Sequence, residues 1–196
     1  LKENRCRSFF KDNDVIQAKA FLEEAMTELG INREIFDSVV LYYYSRSFGV
    51  GELLQTIQQQ WLNALGILIK TEYLDSKTSM DKLIKGDYHM CFMRRDALYN
   101  DPMSILERFK YKDYIANYSN WENQEYIRLL DKSFYEQADA RSQILEQAER
   151  VLLNEMPVIP LYHEDYIYII NPELKYKIPL SGDRLLLPMS FEDQGL

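Results

Sequence analysis

Cysteine and histidine are scarce in this sequence, which argues against a metal centre. The chain of 196 residues has two cysteines, Cys6 and Cys91, and two histidines, His89 and His163, which lie far apart in the sequence. A structural zinc site usually takes its four ligands from closely spaced Cys or His pairs, and no Cys-x-x-Cys pair is present. We therefore expect no metal site and no cofactor. Cys91 lies in an apolar stretch typical of a buried thiol, and whether it pairs with Cys6 stays open.

An excess of positive charge and long apolar runs are also lacking. The net charge is −8, and no basic patch dominates, so we expect no nucleic-acid partner. No apolar run approaches the ~18 residues of a membrane-spanning helix, and no signal peptide is recognisable. Because the chain begins at Leu1 and not at Met, we expect a fragment or a processed form from which a targeting segment could have been removed.

The motifs of the common enzyme classes are absent as well. The sequence has no G-x-S-x-G, no Gly-rich phosphate loop and no His-Glu-x-x-His, which are the signatures of several hydrolases, nucleotide binders and metalloproteases. The triplet His163-Glu164-Asp165 offers a single imidazole, and we interpret Glu164 and Asp165 as turn residues. Nothing assembles a nucleophile, a base and an oxyanion site, so we expect that the chain is not an enzyme.

The first half of the sequence contains three amphipathic helix patterns. Asn13 and Asp14 can cap a first helix, with Gln17 at the reciprocal position, and Gly30 and Gly66 are suited to end the first and second. Apolar residues recur at three- and four-residue spacing, which predicts one buried face on each of three helices. The residues predicted to face inward are Ala18, Phe21, Leu22, Ala25, Met26 and Leu29, then Leu53, Leu54, Ile57, Trp61 and Leu65, then Met80, Leu83 and Ile84.

A strand pattern follows each of these helices. Residues 38–44, 67–73 and 88–93 are rich in aliphatic and aromatic side chains, which favours strands. The near-continuous apolarity of the first predicts burial on both of its faces. Alternating helices and strands predict an α/β fold with a central, mainly parallel sheet flanked by helices.

The second half is mainly helical. Asp101 is predicted to cap a short helix that has Pro102 at its first position, and residues 111–121 form an irregular aromatic segment. Residues 161–170 are predicted to be strand-like, and the Pro-containing tail from Asn171 is predicted to be an extended connection. Two further helical faces are expected from Tyr126, Leu129, Leu130 and Phe134, and from Ile144, Leu145, Ala148, Val151 and Leu152.

The stretch from Gly86 to Pro102 is the strongest candidate for a binding site. Its strand runs directly into Arg94, Arg95 and Asp96. Ligands of open α/β sheets bind just past the carboxyl ends of the strands, so two guanidiniums and a carboxylate at such an end could contact a ligand. The alternative is a solvated loop after a core strand, which the residues alone favour because charged loop residues are common.

Seven blocks of sequence together carry a family resemblance. They are AKAFLEEA at 18–25, LYYY at 41–44, IQQQWLNALGI at 57–67, GDY at 86–88, YNDP at 99–102, NYSN at 117–120 and AERVLLNEMPVIPL at 148–161. In order and spacing they resemble the C-terminal lobe of the oligopeptide-binding proteins, the extracellular solute-binding components of ABC importers. The last block is the most specific, and the resemblance covers roughly residues 14–170.

This resemblance implies one lobe of a two-lobed protein that closes over a peptide or a related small solute. Residues 1–13 would be a lead-in, residues 14–170 the C-terminal lobe, and residues 171–196 an extended tail returning toward the N-terminal lobe. The protein would be periplasmic or extracytoplasmic, with a lipid-anchored full-length form as a further expectation, and would deliver its ligand to a membrane permease. The alternative is a surface module that keeps the fold but binds a protein partner through the aromatic residues of 111–121.

The resemblance also places the strand ends in the ligand cleft, against the loop interpretation. The expected ligand-binding residues follow the first and third strands of the sheet. They are Tyr44, Ser45, Arg46, Arg94, Arg95, Asp96, Leu98, Tyr99 and Asn100.

One part of the family pattern is altered in this chain. The family carries an aromatic residue and, three positions later, an aspartate that pairs with the α-amino group of the peptide, and Arg95 and Leu98 stand at these positions. Leucine cannot compensate an ammonium group for lost hydration, whereas arginine suits a carboxylate or phosphate. We therefore expect a ligand that needs no free amino group and has an anionic end, unless Asp96 binds the amine instead.

Overall fold

The computed structural model describes residues 9–44 and 49–163, and the chain divides into two compact units, Leu1–Arg94 and Arg95–Leu196. The expectations for Cys6, for Ser45 and Arg46, and for residues 164–196 lie outside the described residues. Among those described, no helix combines the length and apolarity needed to cross a bilayer.

The first unit alternates helices and strands as predicted. Its three strands form a parallel sheet in the order β2-β1-β3, which confirms the α/β class and the parallel topology. The elements are α1 (Val15–Leu29), a 3₁₀ helix (Arg33–Ser38), β1 (Val40–Tyr43), α2 (Val50–Leu65), β2 (Lys70–Tyr73), α3 (Ser76–Lys85) and β3 (Met90–Phe92).

Local side-chain and backbone chemistry sets the helix ends of this unit. The Asp14 carboxylate accepts a hydrogen bond from the backbone N–H of Gln17 and starts α1, as the capping pattern predicts. Gly30 and Gly66 end α1 and α2 with φ angles of 62° and 70°. Only glycine adopts this left-handed conformation without strain from a Cβ atom.

The core of the first unit lies between α2 and one face of the sheet. Its buried members are Leu41, Val50, Leu54, Ile67 and Ile69. The predicted core residue Trp61 packs against this cluster but is only half-buried.

Several residues predicted to face inward are exposed. Phe21 is 60% exposed on α1, and Ile84 is 66% exposed on α3. On α3 the buried residues are Ser79 and Leu83, four apart on one side, and Ile84 lies a further ~100° around the helix. A narrow contact with the rest of the unit buries one row of side chains and leaves the neighbouring row outside. Leu29 and Met80 are exposed on α1 and α3 in the same way.

The first strand is also less buried than its apolarity predicts. Leu41 is the buried residue of β1, and its neighbours are half-buried. Tyr42 points to the opposite face from Leu41, where Lys82 Nζ lies 5.1 Å from the centre of its ring. Cys91, expected to be buried, is half-buried. The neighbour shown on this face is thus a lysine of the short, largely polar helix α3.

The second unit is helical and has a core of its own. It contains α4 (Met103–Leu106), which continues as a 3₁₀ helix (Glu107–Phe109), then α5 (Gln124–Ser133) and α6 (Ala138–Glu155). The buried core residues are Met103, Leu106, Tyr126, Leu129, Leu130, Ile144, Leu145, Ala148 and Leu152. Phe134, predicted to face inward, follows the last residue of α5 and is 65% exposed.

Candidate functional site

The carboxyl end of the sheet in the first unit carries three aromatic side chains. Tyr43 is paired with Tyr73 on one side and with Phe92 on the other, so the three rings share one face of the sheet. The rings of Tyr43 and Tyr73 meet edge to face, with centroids 5.6 Å apart. The hydroxyl of Tyr43 reaches the first turn of α2, where a Cβ atom on Gly51 would lie 4.0 Å from it. This edge is therefore aromatic and lies next to the start of a helix.

Two of the predicted site residues lie at this edge. Tyr44 follows β1 directly and is half-buried, and Arg94 lies two residues after the end of β3 and is also half-buried. The structure thus places both just past the carboxyl ends of parallel strands, where ligands of such sheets bind.

The remaining predicted residues form one exposed segment at the start of the second unit. We call residues 95–100 the strand-end segment, and all of them are exposed. The guanidinium of Arg95 lies over the ring of Tyr118, with Cζ 4.9 Å from its centre, a geometry typical of a cation–π contact.

Leu98 combines an exposed side chain with a held backbone. Its side chain is 67% exposed, while its backbone N–H donates to Ser104 Oγ at 2.7 Å. At the position where the family pattern has an amine-binding aspartate, the structure therefore presents an apolar side chain on a fixed backbone.

Tyr99 is tied to the helix that follows. Its hydroxyl donates a hydrogen bond to Glu107 Oε1 at 3.0 Å. Burial and this hydrogen bond to a carboxylate raise the pKa of Tyr99 to about 12. The phenol therefore stays neutral and acts as a donor over the whole physiological range of pH.

Asp101 closes the segment. Its carboxylate accepts a hydrogen bond from the backbone N–H of Met103, the first residue of α4, at 2.8 Å. Pro102, predicted at the first helical position, lies directly before the helix. It also receives two hydrogen bonds from the guanidinium of Arg141, at 2.7 and 2.9 Å. The bond from Arg141 is the main reason that the pKa of Asp101 lies below its usual value. The guanidinium of Arg141 therefore pairs with the Asp101 carboxylate through two oxygens.

The sequence pattern did not predict the two residues that hydrogen-bond to the backbone of the strand-end segment, Ser104 and Arg108. The guanidinium of Arg108 donates to the carbonyl oxygens of Asp96, at 2.7 Å, and of Ser104, at 3.1 Å. Ser104 is fully buried. A polar residue inside the apolar stretch Met103–Leu106 was the available signal, because a buried hydroxyl normally has a hydrogen-bond partner.

We compared the site with possible metal ligands and with two surface depressions among the described residues. Within residues 9–44 and 49–163, no group of three or more His, Cys, Asp or Glu side chains could hold a metal ion. Two open surface depressions of the first unit, of about 430 and 420 Å³, contain none of the predicted residues. The candidate site therefore consists of the strand ends in the first unit and the strand-end segment in the second unit.

Comparison with known proteins identifies the family. The model of the bacterial extracellular solute-binding proteins, family 5 middle region, matches residues 5–117. The chain belongs to this family. It is 30% identical over 174 residues to the oligopeptide-binding protein OppA of Bacillus subtilis, covering 88% of this chain and 32% of that relative. It is 29% identical over 163 residues to the dipeptide-binding protein DppE of the same organism, covering 81% and 29%.

Solved structures agree with the sequence comparison. A periplasmic oligopeptide-binding protein of an oligopeptide ABC transporter from Borrelia burgdorferi matches with a TM-score of 0.62 and 26% identity, over 76% of this chain and 30% of that one. The resemblance to the oligopeptide-binding proteins is thereby confirmed, and these relatives are named as binding proteins, not enzymes. The chain spans about a third of the length of the relatives it matches.

Proposed function

We propose that this chain is the C-terminal lobe of a two-lobed, extracytoplasmic solute-binding protein that captures a peptide or related small solute for an ABC importer. The observation that carries the proposal is the family membership, since the family model covers residues 5–117 and the two Bacillus subtilis relatives are named for oligopeptide and dipeptide binding. The comparisons favour this role over a surface module that binds a protein partner.

The remaining parts of the protein follow from the same proposal. Residues 14–170 form the lobe, residues 1–13 lead into it, and residues 171–196 return toward an N-terminal lobe. The two lobes close on the ligand by a hinge motion, and a membrane permease recognises the closed form, because a ligand shifts such an equilibrium toward the state that it binds better. The full-length protein is held outside the cytoplasm, with a lipid anchor as one means.

Ligand contacts are proposed at the two described strand ends and at the strand-end segment. The aromatic edge formed by Tyr43, Tyr73 and Phe92 offers apolar surface next to Tyr44. Arg94 and Arg95 supply the positive charge, and Leu98 supplies a neutral, apolar side chain in place of a carboxylate. Leu98 in place of a carboxylate disfavours a ligand that is held by its free α-amino group, and a guanidinium suits a ligand with an anionic end.

Calorimetric titration of the two-lobed protein tests this ligand preference. Matched peptides with a free and with an acetylated amino end should bind with affinities that differ less than about tenfold, or about 1.4 kcal/mol. A larger loss on acetylation would show that the amino group is recognised. Asp96→Asn then identifies the cause, because it removes the difference only if Asp96 is the amine-binding carboxylate.

A further inference from the structure

The strand-end segment combines exposed side chains with a backbone that is hydrogen-bonded to side chains elsewhere in its unit. Leu98 is 67% exposed and Tyr99 is 40% exposed, so their side chains are available for contact. The backbone beneath them is tied at two places to the α4 region. A loop that was only a solvated connection would not need these ties.

Ser104 provides the first tie. It is fully buried, and its hydroxyl oxygen accepts the hydrogen bond from the backbone N–H of Leu98 at 2.7 Å. Because Ser104 is buried, breaking this bond would leave its hydroxyl without access to water, and this cost holds the Leu98 amide in place.

Arg108 provides the second tie. One nitrogen of its guanidinium donates to the carbonyl of Asp96 at 2.7 Å, and another donates to the carbonyl of Ser104 at 3.1 Å. The rigid fork of the guanidinium joins the segment to the same residue that receives the Leu98 amide. Lysine has one flexible ammonium in place of this fork and cannot reproduce both bonds in one geometry.

We infer that Ser104 and Arg108 are positioning residues, which hold the backbone from Asp96 to Leu98 so that the segment meets its ligand already ordered. The inference rests on the function proposed above and deepens it. A segment ordered before binding does not lose its conformational freedom on binding, and that loss otherwise weakens affinity. Neither residue needs to touch the ligand.

Hydrogen exchange of the 196-residue chain tests the backbone part of this inference. The amide of Leu98 should be protected, and Ser104→Ala and Arg108→Gln should each lower its protection by about tenfold or more. Arg108→Lys should lower it nearly as much, because the charge is kept but the fork is lost. Arg128→Gln is the matched control, since Arg128 pairs with Glu125 on the surface of α5, and it should leave the Leu98 amide unchanged.

The pattern of exchange separates positioning from general stabilisation. A residue that merely stabilises the unit lowers the protection of core amides such as that of Leu130 together with that of Leu98. A positioning residue lowers protection selectively at Leu98. An unprotected Leu98 amide in the wild-type chain, equal losses at both amides, or full recovery with Arg108→Lys would overturn the inference.

Peptide affinity of the two-lobed protein tests the functional part. Arg108→Gln and Arg108→Lys should weaken peptide binding by about five- to twentyfold, with no effect from Arg128→Gln. Unchanged affinity despite selective exchange at Leu98 would contradict a role of the segment in binding. If the wild-type protein binds no peptide, the proposed function fails, whereas selective exchange at Leu98 still supports the backbone ties.

Discussion

Asn117 offers the sharpest test of the packing in the second unit. Its side chain is 5% exposed, and its amide nitrogen donates to the carbonyls of Tyr111, at 2.9 Å, and of Trp121, at 2.8 Å. Its amide oxygen accepts the hydroxyl of Ser119 at 2.8 Å. One buried side chain thus joins the two ends of the aromatic segment 111–121.

The substitution Asn117→Asp keeps the shape of the side chain and reverses the role of one atom. Both donated hydrogen bonds are lost, and a carboxylate oxygen then faces the two carbonyl oxygens. Each unsatisfied buried group costs about 1–3 kcal/mol, so we expect a loss of roughly 3–5 kcal/mol in the free energy of unfolding at pH 7. Asn117→Ala leaves the same two carbonyls without their hydrogen-bond donor but adds no charge, so it should cost roughly 2–4 kcal/mol.

The cost of Asn117→Asp should also depend on pH. Burial and the facing carbonyls raise the pKa of the introduced carboxyl in the folded chain above its unfolded value of about 3.9. Because the charged form destabilises the fold, the cost is full above the raised pKa and shrinks as the pH falls toward about 4. The neutral acid can again donate one hydrogen bond.

Urea unfolding at pH 7 and at about pH 4.5 measures this effect. Trp61→Phe in every variant leaves Trp121 as the fluorescent probe of the second unit. Gln143→Glu is the control, since Gln143 is an exposed residue of α6 in the same unit, and its cost should stay within about 0.5 kcal/mol. A cost of Asn117→Asp below about 1 kcal/mol, or one that does not shrink at the lower pH, would show that the Asn117 amide does not hold the two carbonyls in the folded chain.

Two further predictions concern the ion pair and the core. Asp101→Asn keeps the cap but loses the pair with Arg141, so it should cost about 1–3 kcal/mol at neutral pH. Because the pKa of Asp101 is lowered in the fold, this cost should persist above about pH 4 and vanish as the pH falls through the folded pKa; a cost independent of pH in acid titration would exclude the pair as its source. Leu54→Ala, at a side chain only 1% exposed, should cost roughly 3–4 kcal/mol in chemical denaturation, and half-buried Trp61→Ala roughly 2–3 kcal/mol. Leu62→Ala, at an exposed site, should cost less than about 1 kcal/mol, and equal costs at all three positions would contradict the assignment of the core.

The sequence predicts local features of the fold well and tertiary packing less well. The ends of α1 follow from Asp14 and Gly30, because a cap and a left-handed glycine act within a few residues. The burial of Phe21 and Ile84 is predicted wrongly, because periodicity gives the apolar side of a helix but not how much of it a neighbour covers. A narrow contact and a wide one produce the same sequence pattern.

In the candidate site, too, local features are predicted from the sequence and long-range contacts are not. The position of the strand-end segment follows from a strand that ends in charged residues, and the cap by Asp101 is local. Its partner Arg141 lies 40 residues away, and no local rule links the two. The ties through Ser104 and Arg108 likewise depend on how the α4 region lies against the segment, which only the folded chain shows.

The proposed hinge closure of the two-lobed protein on a peptide can be measured by solution scattering. The radius of gyration is measured as a mixture of short peptides is titrated into the protein. We expect a radius that falls and saturates as peptide binds, because the ligand favours the closed form. A radius that stays constant at peptide concentrations where calorimetry shows binding to be complete would contradict closure of the lobes on the peptide.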